Sequence, residues 1–227
     1  MGGLQGVFAD VPASQLGGVA IAAALKAAQV TPEQVDELLM GCVLPAGQGQ
    51  APARQAGFAA GLGEKVPATT VNKMCGSGMK TTMMGYDQLA LGRDQVMVVG
   101  GMESMTQAPY LLPKMRGGAR LGHGPVQDSM FLDGLEDAYD AGRLMGAFAE
   151  DCAKHFEFTR EAQDAYALRS LERAVAAQSS GAFAAEIAPV SFTTRKGTVQ
   201  ITLDEQPGNA QPEKIPHLKQ LFVIVVP

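Results

Sequence analysis

The stretch best suited to chemistry covers residues 72–80, with the sequence Asn-Lys-Met-Cys-Gly-Ser-Gly-Met-Lys. A strand-like run at residues 68–71 precedes it, and a helix-like run at residues 79–91 follows it. Cys75 is therefore predicted at a strand-to-helix turn, where the unpaired N–H groups of the first helical turn stabilise a thiolate. The same amides, with the N–H of Cys75, can bind an oxyanion that forms on an acyl group. The pattern predicts a nucleophile elbow with cysteine in place of serine.

A packing role is the alternative for Cys75, because free cysteine is among the most buried residue types. The wider sequence favours catalysis. Residues 72–80, followed by Val-Val-Gly-Gly-Met-Glu-Ser-Met-Thr at residues 98–106, resemble the thiolase family, and within it the acetyl-CoA acetyltransferases. The resemblance extends from about residue 2 to about residue 222 and covers only the first half of a typical thiolase.

The order of the elements indicates an α/β fold with a largely parallel sheet, because helices and strands alternate along the first part of the chain. The resemblance implies the N-terminal half of the thiolase αβαβα layered fold, with an inserted loop domain. We predict helices at residues 14–29, 51–62, 78–92, 143–156 and 160–178, a helix start at 31–34, strands at 37–44, 67–71, 95–100 and 187–192, and a loop at 193–219.

Three segments are expected from changes of character along the chain. Residues 1–109 are expected to form an α/β domain that carries the nucleophile. Residues 110–222 are expected to form a loop domain that covers coenzyme A and contains two helices and a return strand, and residues 223–227 form an atypical tail. Full thiolases begin upstream with an apolar strand that is missing here. The simpler explanation of the tail is a truncated or frameshifted gene end. The alternative is that the tail replaces the missing strand, but its correct register in the sheet would then have to arise by accident.

Composition limits the possible partners and compartments. The 227 residues carry a formal net charge of −5, which gives no reason to expect nucleic acid or an anionic membrane as partner. The three cysteines are scattered and odd in number, so neither a disulfide framework nor a zinc site is expected, and a reducing cytoplasm fits best. No apolar run is long enough to span a membrane, and the pattern of a signal peptide is absent.

The resemblance implies a two-stage acyl transfer in which Cys75 takes an acyl group from acyl-CoA as a thioester. The carbanion of a second acetyl-CoA then attacks that thioester, and the reverse reaction is thiolysis of a 3-ketoacyl-CoA. Coenzyme A thioesters are the substrates, and no other cofactor and no metal is expected. In the family, the remaining catalytic residues are a histidine in a Gly-His-Pro motif, a second cysteine in a Cys-x-Gly-Gly motif and an asparagine in an Asn-Glu-Ala-Phe motif. None of these motifs occurs in this sequence.

Two apolar residues, Leu135 and Met145, match residues with which thiolases hold the pantetheine of coenzyme A. Leu144 stands where family members often have a histidine. Without the resemblance, Leu135 and Met145 would be interpreted as ordinary core residues. The glycine-rich residues 41–49 and 117–124 match neither a P-loop nor a dinucleotide-binding fingerprint, so no phosphate cradle is predicted.

The other residues of catalytic type are expected to take no part in the chemistry. Cys42 and Cys152 are interpreted as packing residues. Surface or structural roles are expected for the three histidines, which are His123, His155 and His217.

Three functional hypotheses follow. The first is a thiolase-type acetyl-CoA C-acetyltransferase of fatty acid metabolism, working as a homo-oligomer or with a complementary C-terminal half. The second is a catalytically inactive thiolase remnant that binds coenzyme A or associates with an intact thiolase subunit. The third is a ketoacyl-synthase-like condensing enzyme with the same fold and cysteine, but the Gly-Gly-Met-Glu-Ser-Met motif at residues 100–105 favours a thiolase.

Overall fold

The computed structural model describes residues 1–195 and 197–219, and the tail predicted at residues 223–227 lies outside the described residues. Two compact units are present. The first, called the sheet unit, comprises Phe8–Gly134 and Ala188–Ile201. The second, called the helical unit, comprises Met1–Val7, Leu135–Ile187 and residues 202–219. The segment boundaries placed after residues 109 and 222 stay predictions.

The helices and strands are numbered in chain order. The sheet unit contains α1 (Ala13–Ala28), β1 (Glu37–Gly41), α2 (Pro52–Ala59), β2 (Ala68–Val71), α3 (Ser77–Ala90), β3 (Met97–Gly101), β4 (Tyr110–Leu111), β5 (Gln127–Asp128), β6 (Val190–Thr194) and β7 (Gly197–Ile201). The helical unit contains α4 (Met145–His155), α5 (Arg160–Ser180) and α6 (Glu205–Asn209).

A parallel sheet of three strands, in the order β2-β1-β3, organises the sheet unit. Leu39 of β1 lies opposite Thr69 of β2 and Val99 of β3. The central strand is apolar after Glu37, and Leu38 and Leu39 are fully buried. This is the composition expected of a parallel strand covered on both faces. The α/β fold with a parallel sheet that the sequence predicted is therefore confirmed.

Helix α1 packs closely against α2 because small residues line the contact. A Cβ on Gly18 would lie 2.6 Å from the Cβ of Ala59. Gly17, Ile21 and Leu25 of α1 are also buried and recur every four residues, so they form one covered face, while Gln15, Ala22 and Lys26 on the other side are exposed.

The helical unit contains the two long helices that the sequence predicted. Helix α5 begins at Arg160, where the side chain of Thr159 accepts a hydrogen bond from the N–H of Ala162. It ends before Gly181, whose φ of 72° is the left-handed C-cap conformation expected of glycine. No helix in residues 1–195 and 197–219 is both long enough and apolar enough to cross a membrane.

The helix start predicted at residues 31–34 gives only one 3-10 turn, Pro32–Gln34. The capping signal itself is present, because the N–H of Thr31 donates to the Gln34 side chain at 2.8 Å. The turn ends at once because Val35 is already extended and the N–H of Asp36 pairs with the carbonyl of Val96 at 2.9 Å. Pairing within the sheet therefore overrides the local helix signal.

The loop predicted at residues 193–219 is wrong. The described part of this stretch contains the end of β6, all of β7, helix α6 and a 3-10 helix at Pro212–His217. Strand β6 pairs with β7 in an antiparallel hairpin, so each strand depends on the other for its backbone partners. At α6, the Glu205 carboxylate accepts hydrogen bonds from the N–H groups of Gly3 and Val7, which lie about two hundred residues away in the chain. Such distant partners leave no signal in a local window.

Gly41 ends β1 where the start of α3 lies against the strand, and this contact leaves no room for a side chain. A Cβ on Gly41 would lie 2.6 Å from the Cβ of Ser77 and 2.9 Å from the backbone nitrogen of Gly78. We expect Gly41→Ala to lower the free energy of unfolding by about 2 kcal/mol, the cost of overpacking a close contact. Urea unfolding followed by circular dichroism measures this difference.

The matched control is Gly63→Ala in the same unit, where a Cβ would meet no atom within 4 Å. The control variant should unfold at nearly the wild-type urea concentration. Equal stability of the two variants would contradict the close approach of α3 to β1.

Candidate active site

Cys75 lies at the strand-to-helix turn, as the sequence predicted. Strand β2 ends at Val71, and α3 begins at Ser77, two residues after the cysteine. The thiol is exposed, so this cysteine is not a packing residue in the sheet unit. Its catalytic role stays a prediction, and the geometry below shows how the turn is held.

Two side chains, Asn72 and Ser77, hold the backbone that immediately precedes Cys75. The Oδ1 of Asn72 accepts a hydrogen bond from the N–H of Met74 at 3.0 Å. The Oγ of Ser77 accepts from the N–H of Lys73 at 2.9 Å and donates to the carbonyl of Met74 at 2.5 Å. The N–H of Cys75 is not among the amides that these two side chains engage.

Met74 has a φ of 50°, a left-handed conformation that is unfavourable for a residue with a side chain. Such a conformation persists only where surrounding contacts enforce it, and it occurs often at functional sites. Here both the N–H and the carbonyl of Met74 are bound by side chains, so the turn is fixed immediately before the cysteine.

Helix α3 is anchored to the sheet by the hydroxyl of Thr81, which is fully buried. Its Oγ1 lies 2.8 Å from the carbonyl oxygens of both Gly78 and Gly100, so one proton serves two acceptors. A Cβ on Gly101 would lie 3.4 Å from the Cα of Gly78. Gly101, the second residue of the Gly-Gly-Met-Glu-Ser-Met motif, therefore lies in van der Waals contact with the helix start.

Glu103 in the same motif lies at the ends of β1 and β3. Its carboxylate accepts hydrogen bonds from the N–H groups of Val43 at 2.7 Å and Leu44 at 3.2 Å. The Nδ2 of Asn72 donates to the carbonyl of Val43 at 3.2 Å. In the sequence, Glu103 stands out only as part of a family motif, and no role was predicted for the side chains of Asn72, Ser77 or Glu103. An acidic residue two positions after an apolar strand was the signal available for Glu103.

Cys42 is buried, and its predicted packing role is confirmed. Its Sγ lies 3.5 Å from Oε1 of Glu103 and accepts a hydrogen bond from Nε2 of Gln48 at 3.4 Å. Burial, followed by the nearby Glu103 charge, raises the pKa of the Cys42 thiol to about 11. The thiol is therefore neutral at physiological pH and is no candidate nucleophile.

Cys152 does not have the packing role predicted for it, because it is exposed on α4.

The surface positions expected for the histidines are observed, since all three are exposed. The His155 ring packs edge-on against Phe156, with ring centroids 4.8 Å apart. Among the described residues, no group of three or more His, Cys, Asp or Glu side chains is arranged to hold a metal ion.

Leu135 and Met145 lie near one another in the helical unit. An isolated antiparallel bridge joins Glu136 to Leu144, and the two residues flank that bridge on the same side. Met145 is 47% exposed, so the alternative of an ordinary core residue is wrong for it. Leu135 is partly buried. Both side chains are therefore available for an apolar contact, and their role in binding coenzyme A stays a prediction.

Comparison with known proteins identifies the class. The family described as "Thiolase, N-terminal domain" matches residues 1–224. The chain is 49% identical over 209 residues to acetyl-CoA acetyltransferase 2 of Arabidopsis thaliana, covering 92% of this chain and 51% of that protein. It is 48% identical over 197 residues to the acetyl-CoA acetyltransferase of Cupriavidus necator, covering 87% and 50%. A probable acetyl-CoA acyltransferase of Staphylococcus aureus is 42% identical over 224 residues, covering 98% and 57%.

The chain therefore belongs to the thiolase family and corresponds to its N-terminal domain. It spans about half the length of the curated relatives that it matches. The family resemblance predicted from the two motifs is confirmed over nearly the whole sequence.

Removing the Ser77 hydroxyl should weaken the turn around Cys75. Ser77 is buried, and its Oγ bonds both the Lys73 N–H and the Met74 carbonyl. Because Ser77→Ala leaves both groups without this partner, we expect the free energy of unfolding to fall by about 2 kcal/mol. Urea unfolding measures the loss. Ser180→Ala is the matched control, since its exposed hydroxyl contacts only the carbonyl of Ala177 at a helix end. A loss no larger than that of the control would contradict this role.

The Cys42 thiol should make stability fall at alkaline pH. Its pKa in the folded chain is about 11, above the ordinary value of 9.0, so the folded state holds the proton more tightly. The resulting stability is present below pH 9 and is lost as the pH rises towards 11. Between about pH 8 and about pH 10, the free energy of unfolding of the wild type should fall by about 1 kcal/mol more than that of Cys42→Ser, because the serine hydroxyl does not ionise in this range. Urea unfolding at both pH values tests this, and parallel losses would contradict it.

Proposed function

We propose that this chain takes part in acyl transfer between coenzyme A thioesters, with Cys75 carrying the acyl group as a thioester. The observation that supports this most directly is the position of Cys75, an exposed thiol fixed between β2 and the first turn of α3. The relatives named acetyl-CoA acetyltransferase indicate acetyl-CoA as a substrate for this family of enzymes.

In the proposed first step, the Cys75 thiolate attacks the thioester carbonyl of acetyl-CoA. The carbonyl oxygen becomes an oxyanion, and the amide of Cys75 with the first turn of α3 supplies positive partial charge to stabilise it. Collapse of this intermediate breaks the bond to coenzyme A, which leaves as its thiolate. The acetyl group is then held by Cys75, and no electron acceptor is required.

In the proposed second step, the carbanion of another acetyl-CoA attacks the Cys75 thioester and forms acetoacetyl-CoA. Cys75 leaves as a thiolate, so the site returns to its starting state. This step needs a base for the acetyl-CoA methyl group. The Gly-His-Pro and Cys-x-Gly-Gly motifs that supply such groups in the family do not occur in this sequence. We propose that a complementary C-terminal half provides them.

Coenzyme A is proposed to contact the helical unit through Leu135 and Met145. The exposure of Met145 and the backbone bridge between Glu136 and Leu144, the neighbours of Leu135 and Met145, support an apolar contact with the pantetheine arm. Arg143 is engaged nearby, paired with Asp140 and Asp151 and lying over the Phe148 ring. The proposed recognition at this point is therefore apolar, and coenzyme A enters as part of the substrates.

The proposed setting is fatty acid metabolism in the cytoplasm, with the chain in a homo-oligomer or paired with a complementary half. The three cysteines are free, which fits a reducing compartment. The net charge of −5 supports neither nucleic acid nor an anionic membrane as partner.

Mass spectrometry of the purified chain after incubation with acetyl-CoA tests the proposed first step. We expect one added acetyl group, located on Cys75 by peptide analysis and absent from Cys75→Ser. Cys152→Ser is the matched control, because it removes the other exposed cysteine and should leave the adduct unchanged. A folded wild-type chain that gains no acetyl group would contradict independent acylation. The result would then support the second hypothesis, an inactive relative that binds coenzyme A or joins a thiolase subunit.

A further inference from the structure

The Glu103 carboxylate binds three groups that follow the end of β1. These are the N–H groups of Val43 at 2.7 Å and Leu44 at 3.2 Å, and the thiol of Cys42 at 3.5 Å. Hydrogen bonds to an ionised carboxylate are stronger than those between neutral groups. The chain leaving β1 is therefore held firmly against the end of β3. This carboxylate has no role in the acyl transfer proposed above.

Asn72 connects the same segment to the turn that carries Cys75. Its Nδ2 donates to the Val43 carbonyl at 3.2 Å, and its Oδ1 accepts from the Met74 N–H at 3.0 Å. Both ends of one side-chain amide are thus used, each by a different loop. These two bonds define the orientation of the Asn72 side-chain amide, because a flipped amide would place its NH2 donor against the Met74 N–H and its oxygen against the Val43 carbonyl.

One peptide group lies between Glu103 and Asn72. The Val43 carbonyl and the Leu44 N–H belong to the same peptide bond, so the carboxylate binds one side of it and the Asn72 amide binds the other. Hydrogen bonds in such a chain polarise one another, and each strengthens the next. A negative charge at the Leu44 N–H makes the Val43 carbonyl a better acceptor for Asn72.

We propose that Glu103 is a positioning residue for Cys75, acting through the Val43–Leu44 peptide and Asn72 on the backbone of Met74. This inference rests on the proposed function of Cys75. Met74 is the residue immediately before the nucleophile, and its left-handed φ of 50° requires enforcement by its surroundings. Loss of the Glu103 charge weakens the Asn72 contact and lets Met74 relax, so the thiol leaves its reactive position.

The first test measures amide hydrogen exchange in Glu103→Gln by NMR, together with the rate of Cys75 acetylation by acetyl-CoA. We expect the Met74 amide to exchange about tenfold faster and the acetylation rate to fall about tenfold, the effect of losing one charge-assisted hydrogen bond. Glu37→Gln is the matched control, because Glu37 accepts a side-chain hydrogen bond from Gln88 at the opposite end of β1. This control should change neither quantity.

The second test uses Asn72→Asp, which keeps an acceptor for the Met74 N–H but removes the donor to Val43. We expect it to reproduce the slower acetylation. The double variant with Glu103→Gln should be no slower than Asn72→Asp alone, because both changes break one connected path. Should Glu103→Gln fail to fold, as judged by circular dichroism, Asn72→Asp alone decides, and acetylation at the wild-type rate would overturn the proposal.

The proposal is also overturned if Glu103→Gln speeds exchange at Val43 and Leu44 while Met74 exchange and Cys75 acetylation remain at wild-type rates. Glu103 would then only brace the end of β1. A wild-type chain that takes no acetyl group would contradict the proposed function of Cys75 instead. In that case Met74 exchange in Glu103→Gln still decides whether the path exists: unchanged exchange refutes it, and faster exchange supports it.

Discussion

The close approach of helix α3 to the ends of β1 and β3 is the constraint on which the candidate site depends. It requires glycine at the end of β1, since a Cβ on Gly41 would overlap Ser77, whereas one on Gly101 would reach only van der Waals contact with Gly78. The buried hydroxyl of Thr81 on α3 donates a hydrogen bond to the carbonyl of Gly100 on β3, which fixes the distance between the helix and the strand. With the helix start held in this way, the turn before it has little freedom, and Cys75 is presented to solvent from a rigid base.

Hydrogen bonds from polar side chains also hold the turn before α3. Ser77 satisfies the backbone on both sides of Met74, and Asn72 connects the turn to the segment after β1. The Glu103 carboxylate holds that segment from the end of β3. The strained backbone at Met74 is therefore supported from two directions. Such support is typical of sites in which a nucleophile must keep one position, since unsupported strain relaxes.

Local sequence patterns predicted the parallel sheet and the principal helices because burial and capping are encoded at short range. The apolar run that became β1 is buried from Leu38 to Gly41, and Gly181 ends α5 in the conformation that only glycine adopts easily. The helix start at Thr31 and helix α6, which lies in the predicted loop, were decided by bonds to distant segments that a local window does not contain. The β6–β7 hairpin in the same predicted loop is a short-range pairing, with Thr194 opposite Gly197, so its partners were within reach of a local window and were missed.

For the candidate site, the sequence by itself determined the strand-to-helix turn around Cys75 and the family, because these depend on residue types at fixed short spacings, and the role of Cys75 as nucleophile stays a prediction. Only the tertiary structure decided which groups hold the turn. Asn72, Val43 and Glu103 are separated by about thirty to sixty residues and meet because parallel strands end at the same edge of the sheet. The same long-range folding buries Cys42 and leaves Cys75 exposed, although both are cysteines that follow strands. Their different chemistry comes from solvent exposure, which the chain acquires only on folding.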